Sequence, residues 1–334
     1  MDSVLPEELV SVSMEPCPDT SPSLNFRALL LRAQNDDGGW GFHPSAESRV
    51  EPTCWALKAL TAQGPTNALD EAPVAGGLRF LAAAQLPDGS WPSTSKQTTG
   101  CWVTSLACWV LRDVPDEKYR TAIADGLRWV CGDWPKDTSW WRRGMRKFLK
   151  DSQHLERDHL ARGWGWTPGT SSWVEPTAFA LLSLEGQHAH VLPSSTKKRR
   201  KLGEALLYDR MCPGGGWNCG NPEVYGVVDE PLVIPTSWAL LALRAHRERR
   251  ENKDSLAWLE RNFYNINGSG SFALARLCLE VYSHEPPTAG PTLNDYYARN
   301  ELLQSIPVAA WMTLAVSARR EWLNGDSGTR AKDL

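Results

Sequence analysis

The sequence predicts an all-α protein folded as an α/α toroid, with six helix pairs in two concentric rings. Two observations support this fold class. Two short motifs recur along the chain in the same order, and amphipathic stretches alternate with stretches that are apolar on every side. A helix that is apolar all round is buried all round, whereas an amphipathic helix keeps one face in water. Inner helices packed around an axis and shielded by an outer ring satisfy both patterns.

The first repeated motif is a glycine-rich turn of the form Gln-x-x-x-Gly-x-Trp. It occurs at 34–40 and 85–91, and weaker copies lie at 211–217, at 266–272 and, rearranged, at 162–166. Glycine ends the preceding helix, and we expect the Gln side chain to bracket that helix end while the Trp ring stacks over the neighbouring turn. The motif is therefore predicted to tie outer helices together. The alternative, an open helical solenoid, is disfavoured because copies about 50 residues apart are too widely spaced for a tetratricopeptide array.

The second motif is a Pro-Thr pair that opens an apolar segment. It occurs at 50–57, 174–181 and 233–240, with looser relatives at 99–111 and 305–317. Proline at the first helical position marks a helix start. We therefore predict inner helices near 51–61, 100–111, 176–185, 235–245, 270–282 and 306–317. Amphipathic outer helices are predicted around 24–32, 74–85, 118–131, 202–211, 252–263 and 293–304.

Composition limits the class of protein. The 334 residues are 42% hydrophobic and 22% charged, and the formal net charge is −3, which argues against a general nucleic-acid-binding surface. No apolar run has transmembrane length, and the acidic start lacks the hydrophobic segment of a secretory signal. We expect a cytoplasmic protein with reduced cysteines. The predicted organisation is a disordered tail over 1–20, a toroid over 21–318 interrupted by an insertion at 132–163, and a tail over 319–334.

Both motifs resemble the Gln-Trp repeats of squalene–hopene and oxidosqualene cyclases. The α/α toroid is also shared with class II diterpene cyclases and with the β-subunits of protein prenyltransferases. The resemblance covers about residues 21–318, and the length corresponds to one barrel of a two-barrel cyclase. It implies an isoprenoid small molecule as ligand and acid-initiated carbocation chemistry, that is, cyclisation or isomerisation, without a cofactor.

The resemblance points to one glutamate as the acid. Squalene cyclases start their reaction from an Asp-x-Asp-Asp-Thr-Ala element whose middle Asp is the proton donor, and the segment 173–178 reads Trp-Val-Glu-Pro-Thr-Ala. Glu175 falls on the middle Asp, and the other two aspartates are missing. Glu51 stands at the same place in an earlier copy of the motif. A helix N-terminus lowers a carboxyl pKa and burial raises it, so the sequence leaves open whether these glutamates are acids or helix caps.

A second acidic candidate precedes the fourth inner helix. Asp229 and Glu230 are adjacent in a loop that we expect at the same mouth of the toroid. Adjacent carboxyls can share a proton. A solvated loop pair is the equally open alternative.

Aromatic residues are expected to bind the substrate, because aromatic faces attract carbocations. We expect about half of those on the inner helices to face the axis. The chain holds 17 Trp, against 7 Phe and 7 Tyr. The candidates are Trp55, Trp102, Trp173, Phe179, Tyr225, Trp238 and Trp311.

Metal binding is weakly indicated. The zinc element of the prenyltransferase β-subunits, Asp-x-Cys, does not occur, and only Cys212, Cys219 and His43 remain as loose ligand candidates. We predict no metal and no cofactor. Two further functions stay open: a non-catalytic toroid that binds an isoprenoid or a partner protein, and a zinc-dependent prenyl or thiol transferase.

Two basic segments allow several interpretations. The insertion 132–163 mixes Trp, Phe and Leu with cations, which suits a lid, a surface helix in peripheral membrane contact, or a diphosphate-holding segment. The run 197–201 opens an outer helix and is predicted to be a solvated face or an anionic-lipid contact. The sequence does not determine the oligomeric state.

Overall fold

A computed structural model describes residues 22–62, 72–114, 116–135, 161–186, 192–224, 226–282, 295–296 and 304–317. These ranges contain eleven α-helices and one short antiparallel hairpin. The helices are α1 Pro22–Arg32, α2 Val50–Thr61, α3 Ala72–Ala84, α4 Val103–Leu111, α5 Arg120–Gly132, α6 Val174–Ser183, α7 Thr196–Asp209, α8 Val233–Ala242, α9 Arg250–Asn262, α10 Ser269–Val281 and α11 Ile306–Val316. The hairpin strands are β1 Glu223–Val224 and β2 Val227–Val228.

Six helices form a closed inner ring. Each inner helix contacts the next in the order α2, α4, α6, α8, α10 and α11, and α11 contacts α2, which closes the ring. The inner helices are almost wholly buried, as their all-round apolar character predicts; every residue of α4, for example, is buried. Outside this ring, α3 packs on α2, α5 on α4, α7 on α6, α9 on α8 and α1 on α11. The predicted α/α toroid is confirmed, although most of the sixth outer helix, predicted at 293–304, lies outside the described residues.

The inner helices lie close to their predicted bounds, with one systematic difference. Helices α6 and α8 begin at Val174 and Val233, two residues before Pro176 and Pro235. The first four N–H groups of a helix have no intrahelical partner, so a proline anywhere in the first turn sacrifices no hydrogen bond. The motif marks the first turn rather than the first residue.

The two motifs are joined by hydrogen bonds that repeat around the ring. The backbone N–H of each repeated Trp donates to the Thr hydroxyl of the following Pro-Thr segment. The pairs are Trp40–Thr53 at 2.9 Å, Trp91–Thr104 at 2.9 Å, Trp164–Thr177 at 3.0 Å and Trp217–Thr236 at 2.9 Å. Each indole N–H also donates to a carbonyl of the preceding outer helix, respectively that of Leu30, Leu81, Val130 and Leu207. Every repeated Trp thus holds an outer and an inner helix together.

The glutamines bracket helix ends as predicted. The Gln34 amide donates to the Gly38 carbonyl at 2.7 Å and to the Pro73 carbonyl, in the first turn of α3, at 2.8 Å. The Gln85 amide makes the equivalent bonds, at 2.9 Å each, to Gly89 and to Ala122 in α5. One side chain closes its own turn and fastens it to the next outer helix.

Each of the first three repeated Trp rings lies against a glycine within an outer helix. A Cβ atom at Gly77 would lie 2.8 Å from Cζ3 of Trp40, and one at Gly126 would lie 2.7 Å from Cζ3 of Trp91. Gly203 stands in the same relation to Trp164, at 2.7 Å. Glycine weakens a helix interior by about 1 kcal/mol relative to alanine, and here it makes room for an indole. Neither sequence motif predicts this pairing.

The predicted turn copy at 266–272 is wrong. Helix α10 begins at Ser269, so Phe272 lies in an inner helix and not in a Gly-Trp turn. Its ring stacks on Tyr296 with the ring centroids 4.1 Å apart. The glycines here start a helix, whereas those of the other copies end one.

The basic run 197–201 does open a helix, α7, but it is not simply a solvated face. Arg199 is fully buried, with its guanidinium 4.1 Å from the Trp134 ring centroid and 3.9 Å from that of Trp164. It donates to the carbonyls of Asp133 at 2.8 Å and Gly163 at 3.3 Å. Planar stacking between indoles explains how a charged residue is buried here.

A cluster of charged residues lies at the C-terminal ends of the inner helices. Lys58, which is buried, contacts the Asp113 carboxylate and lies 4.4 Å from the Trp109 ring centroid. Arg112 pairs with the same carboxylate at 3.1 Å and donates to the Leu182 carbonyl at 2.6 Å. Cations suit this end because helix carbonyls leave it partly negative. We call Lys58, Arg112 and Asp113 the basal triad.

Several predictions fall outside the described residues. These are the two tails, 1–20 and 319–334, and most of the insertion, since 136–160 is not described. The lid, membrane and diphosphate interpretations of that segment stay predictions. Among the described residues, no helix combines the length and the apolar character that crossing a membrane requires.

Candidate active site

The axis of the toroid is occupied by aromatic rings. Six residues form what we call the axial cluster: Trp55, Trp102, Trp109, Phe179, Trp238 and Trp311. Trp55 stacks on Trp238 with centroids 5.2 Å apart and meets Phe179 at 5.8 Å. Trp102 stacks on Phe179 at 5.2 Å, and Trp311 meets Trp55 at 5.5 Å.

These contacts join helices that are not neighbours in the inner ring, such as α2 and α8. The aromatic side chains therefore meet at the axis of the toroid. Trp55, Trp109 and Trp238 are fully buried. We expected about half of the aromatics on the predicted inner helices to face the axis, but these six belong to one cluster, while Phe272 stacks on Tyr296 instead. At this level the described part of the toroid is packed with side chains, and the cluster forms the floor of any site above it.

Glu51 and Glu175 lie above this floor, in the first turns of α2 and α6. Each stands four residues before an axial ring, Trp55 or Phe179, and residues four apart share a helix face. Neither glutamate is a helix cap, because the N-cap positions belong to Arg49 and Trp173. The two glutamates therefore lie on the helix faces that carry the axial rings, in the first turns of their helices.

Burial raises the pKa of both glutamates, the direction that the sequence left open. Loss of water raises the pKa of Glu175 from 4.5 to about 7. The pKa of Glu51 rises equally, to about 7, mainly through burial and further through repulsion from Glu175, while the Trp55 indole opposes the shift. A helix N-terminus favours the anion, but desolvation is the larger effect at both glutamates. Each carboxyl is therefore partly protonated at neutral pH, where an ordinary glutamate is fully ionised.

A cleft of about 530 Å³ opens beside Glu175. It lies where α8 and α10 begin and α9 ends, and its volume is typical of small-molecule sites. The lining residues are Glu175, Cys219, Pro231, Leu232, Val233, Ile234, Pro235, Trp258, Asn262, Asn265, Ile266, Asn267, Gly268 and Ser271.

The remaining predicted site residues are not gathered around this cleft. Asp229 and Glu230 follow β2 and are exposed, which matches the solvated-loop interpretation. Trp173 is 38% exposed at the N-cap of α6, and Tyr225 lies outside the described residues. Trp258 and the asparagines of 262–267 were not among the predicted site residues. The density of asparagine in 262–267 was an available signal, but Trp258 lies in an outer helix, where a tryptophan is usually only packing.

The loose metal candidates do not converge on one point. Cys212 is buried, Cys219 is half-buried beside the Glu175 turn, and His43 is exposed. Within the described ranges, no group of three or more His, Cys, Asp or Glu residues is placed to hold a metal ion.

Sequence comparison finds relatives of one chemical kind. The chain is 28% identical over 270 residues to a drimenyl diphosphate synthase of Streptomyces showdoensis, covering 70% of this chain and 48% of the relative. It is 25% identical over 228 residues to a drimenyl diphosphate synthase of Streptantibioticus cattleyicolor, covering 59% and 41%. A lanosterol synthase of Mus musculus is 38% identical over 87 residues, which is 23% of this chain and 11% of that enzyme. No protein-family model matches the chain.

Solved structures match the chain at low sequence identity. A glycosidase, solved as a single-residue variant, matches with a TM-score of 0.52 and 10% identity, covering 88% of this chain and 94% of that one. The apo type II terpene cyclase MstE from Scytonema has a TM-score of 0.48 and 15% identity, covering 83% and 76%. At such identities the glycosidase likeness concerns the fold alone.

The toroid and the sequence relatives together support the terpenoid cyclase superfamily. The chain is terpene cyclase-like, and its sequence relatives are named as drimenyl diphosphate synthases and lanosterol synthases. It spans about half the length of the curated relatives it matches.

Proposed function

We propose that the protein catalyses an acid-initiated cyclisation or isomerisation of an isoprenoid, with Glu175 as the acid and Glu51 as its electrostatic partner. One observation supports this most directly. Glu175 lines an otherwise mostly apolar cleft, and burial raises its pKa to about 7, while the pKa of a second desolvated carboxyl, that of Glu51, is raised further by repulsion from Glu175.

The proposed step begins with a proton transfer. The Glu175 O–H gives its proton to one carbon of an alkene, and the π electron pair forms the new C–H bond. The neighbouring carbon becomes a cation, which a second double bond can attack to close a ring. Loss of a proton from the final cation to the Glu175 carboxylate restores the acid. No electrons are gained or lost, so the product is an isomer of the substrate.

The surroundings of Glu175 suit such a charge sequence. After the proton transfer, the Glu175 carboxylate is an anion beside the new cation and stabilises it. Glu51 adds further negative charge when it is ionised. Phe179 lies one helical turn below Glu175, and aromatic rings attract cations. The similarity to drimenyl diphosphate synthases over 70% of the chain supports the isoprenoid part of the proposal.

A non-catalytic isoprenoid-binding toroid is the second candidate. The packed axial cluster favours it, because Trp55 and Trp238 leave no open channel at their own level. A zinc-dependent transferase receives no such support, since the described residues provide no ligand group.

Substitution of the carboxyls separates the two candidates. We expect Glu175→Gln to lower turnover by about 10²–10⁴-fold without lowering the melting temperature, because the amide keeps the size but cannot donate an acidic proton. Products of squalene and of prenyl substrates would be measured by gas chromatography with mass spectrometry. Glu230→Gln is the matched control, since that glutamate is exposed. Product formation that survives in both Glu175→Gln and Glu51→Gln would refute the proposed acid.

A further inference from the structure

The cleft beside Glu175 combines an apolar wall with a rim of uncharged hydrogen-bonding groups. We propose that it binds an isoprenoid whose polar end is an uncharged hydroxyl or carbonyl group, and that it selects against a diphosphate ester of the same chain. This inference rests on the proposed function, because it names the kind of substrate end that the same site accepts.

The wall of the cleft is apolar. Pro231, Pro235 and Ile266 are buried, and Val233 and Ile234 are half-buried beside them. Transfer of hydrocarbon from water to such a surface contributes about 25 cal/mol per Å². A branched hydrocarbon chain therefore suits this wall, with an alkene within reach of the half-buried Glu175.

The rim of the cleft carries carboxamides. Asn265 and Asn267 line the cleft and are exposed, and Asn262 and Ser271 line it and are half-buried. A carboxamide donates and accepts hydrogen bonds, and so does an alcohol. Such groups can pair with a neutral polar end without leaving a charge uncompensated.

The charges at the cleft disfavour a diphosphate. Among the described lining residues there is no Lys, Arg or His, and the carboxyl that does line it, Glu175, becomes negative as pH rises. Diphosphates are usually bound by arginine, lysine or a metal ion. Helices α8 and α10 begin at the cleft, but a helix N-terminus offers only about half an elementary charge. That is too little to offset a multiply charged anion beside a carboxylate.

The rate at which Cys219 is alkylated reports whether a ligand occupies the cleft. It lines the cleft half-buried, whereas the other described cysteines are buried. Burial and the nearby Glu175 raise the pKa of the Cys219 thiol, so alkylation with iodoacetamide should be followed at mildly alkaline pH. The modified peptide would be quantified by mass spectrometry, with farnesol and farnesyl diphosphate as probes that differ only in their polar end.

We expect farnesol to slow alkylation of Cys219, and farnesyl diphosphate to require a concentration at least about tenfold higher for the same protection. Asn265→Lys adds a cation at the rim, so it should reduce the difference between the concentrations at which the two probes protect Cys219. Thr121→Lys adds the same charge on the exposed face of α5 and should leave the difference unchanged. Equal or better protection by the diphosphate, or protection by neither probe, would overturn the inference.

Product analysis of the same samples keeps this inference separate from the proposed function. Protection by farnesol without any product would contradict catalysis and leave the headgroup preference intact. Conversion of farnesyl diphosphate with no protection by farnesol would support catalysis and contradict the headgroup preference.

Discussion

The hydroxyl of Thr177 accepts a hydrogen bond from the backbone N–H of Trp164 at 3.0 Å and also lies 3.4 Å from the carbonyl oxygen of the same residue. Thr177 opens an inner helix, and Trp164 ends the turn that leads to it. Because three other Trp–Thr pairs repeat this geometry, the two sequence motifs act as halves of one fastening between an inner helix and its preceding turn.

Removal of this hydroxyl should destabilise the fold. Thr177→Val keeps the shape of the side chain but leaves the buried N–H of Trp164 unsatisfied, at an expected cost of about 1–3 kcal/mol in the free energy of unfolding. Urea denaturation measures the loss. Thr121→Val, at an exposed position of α5, should have little effect. Equal stability of the two variants would show that the hydrogen bond is replaced by another.

Two glycines of α5 should respond oppositely to alanine. A Cβ at Gly126 would lie 2.5 Å from the Cys108 sulfur and 2.7 Å from the Trp91 ring, whereas one at Gly132 would meet nothing within 4 Å. Gly126→Ala should cost about 1–3 kcal/mol through overpacking. Gly132→Ala should be neutral or stabilise by up to about 1 kcal/mol. Thermal unfolding of both variants tests this, and a stable Gly126→Ala would contradict the tight Trp–glycine contact.

The glutamates above the axial cluster should make stability depend on pH. Their pKa is about 7 in the folded chain and 4.5 ordinarily, so the folded state binds more protons between these values. Stability is therefore expected to fall as pH rises from about 4.5 to 7, by up to about 3 kcal/mol for each glutamate.

The measurement compares urea midpoints at about pH 5 and about pH 8 in the parent chain and in Glu51→Gln/Glu175→Gln. The double variant should show a smaller difference between the two pH values. Glu230→Gln, whose carboxyl is exposed, should behave like the parent. An unaltered pH dependence in the double variant would mean that other groups are responsible.

Substitution of the acidic member of the basal triad should destabilise the fold more than substitution of its lysine. Asp113→Asn removes the carboxylate that Lys58 and Arg112 both contact, and leaves two buried cations facing each other, at an expected cost of about 3–5 kcal/mol. Lys58→Met leaves Asp113 paired with Arg112 and preserves much of the packing, so a loss of about 1 kcal/mol or less is expected. Equilibrium unfolding ranks the two variants, and the reverse order would contradict this account.

Arg199 should not tolerate replacement by lysine. A lysine keeps the charge, but it cannot stack as a plane between Trp134 and Trp164 or donate in the same geometry to the carbonyls that Arg199 reaches. We expect Arg199→Lys to cost about 2 kcal/mol. Arg250→Lys is the matched control, because the Arg250 side chain is 91% exposed. Similar melting temperatures for the two variants would be inconsistent with a structural role for the stacking.

Much of the fold could be predicted because its signals are local and repeated. Proline near a helix start and an apolar run such as 233–242 identify an inner helix without knowledge of its neighbours. The role of Gln34 also follows from its place at a helix end. Phe272 was misassigned because glycines occur both where a helix ends and where one begins, and the spacing alone does not separate the two.

The candidate site was less predictable because it depends on distances between helices. Nothing local shows that Arg199 is buried while other residues of its basic run face water. The charge state of Glu175 results from competition between a helix N-terminus and burial, and only the folded surroundings show that burial is the larger effect. Trp258 joins the cleft from an outer helix, where amphipathic patterning indicates no more than packing.

The contact that closes the inner ring, between α11 and α2, joins helices that lie far apart in the sequence, unlike the other five contacts of the ring. Helix α11 packs against α1 and α2. The Ile306 N–H donates to the Phe42 carbonyl at 2.9 Å, and the Ser317 hydroxyl lies 3.3 Å from the Ala62 carbonyl oxygen. Bringing such distant segments together carries the largest loop-closure entropy in the ring, whereas each other joint links helices nearer in the chain. During folding, an open arrangement of stacked helix pairs should therefore form before α11 packs against α1 and α2 and closes the ring.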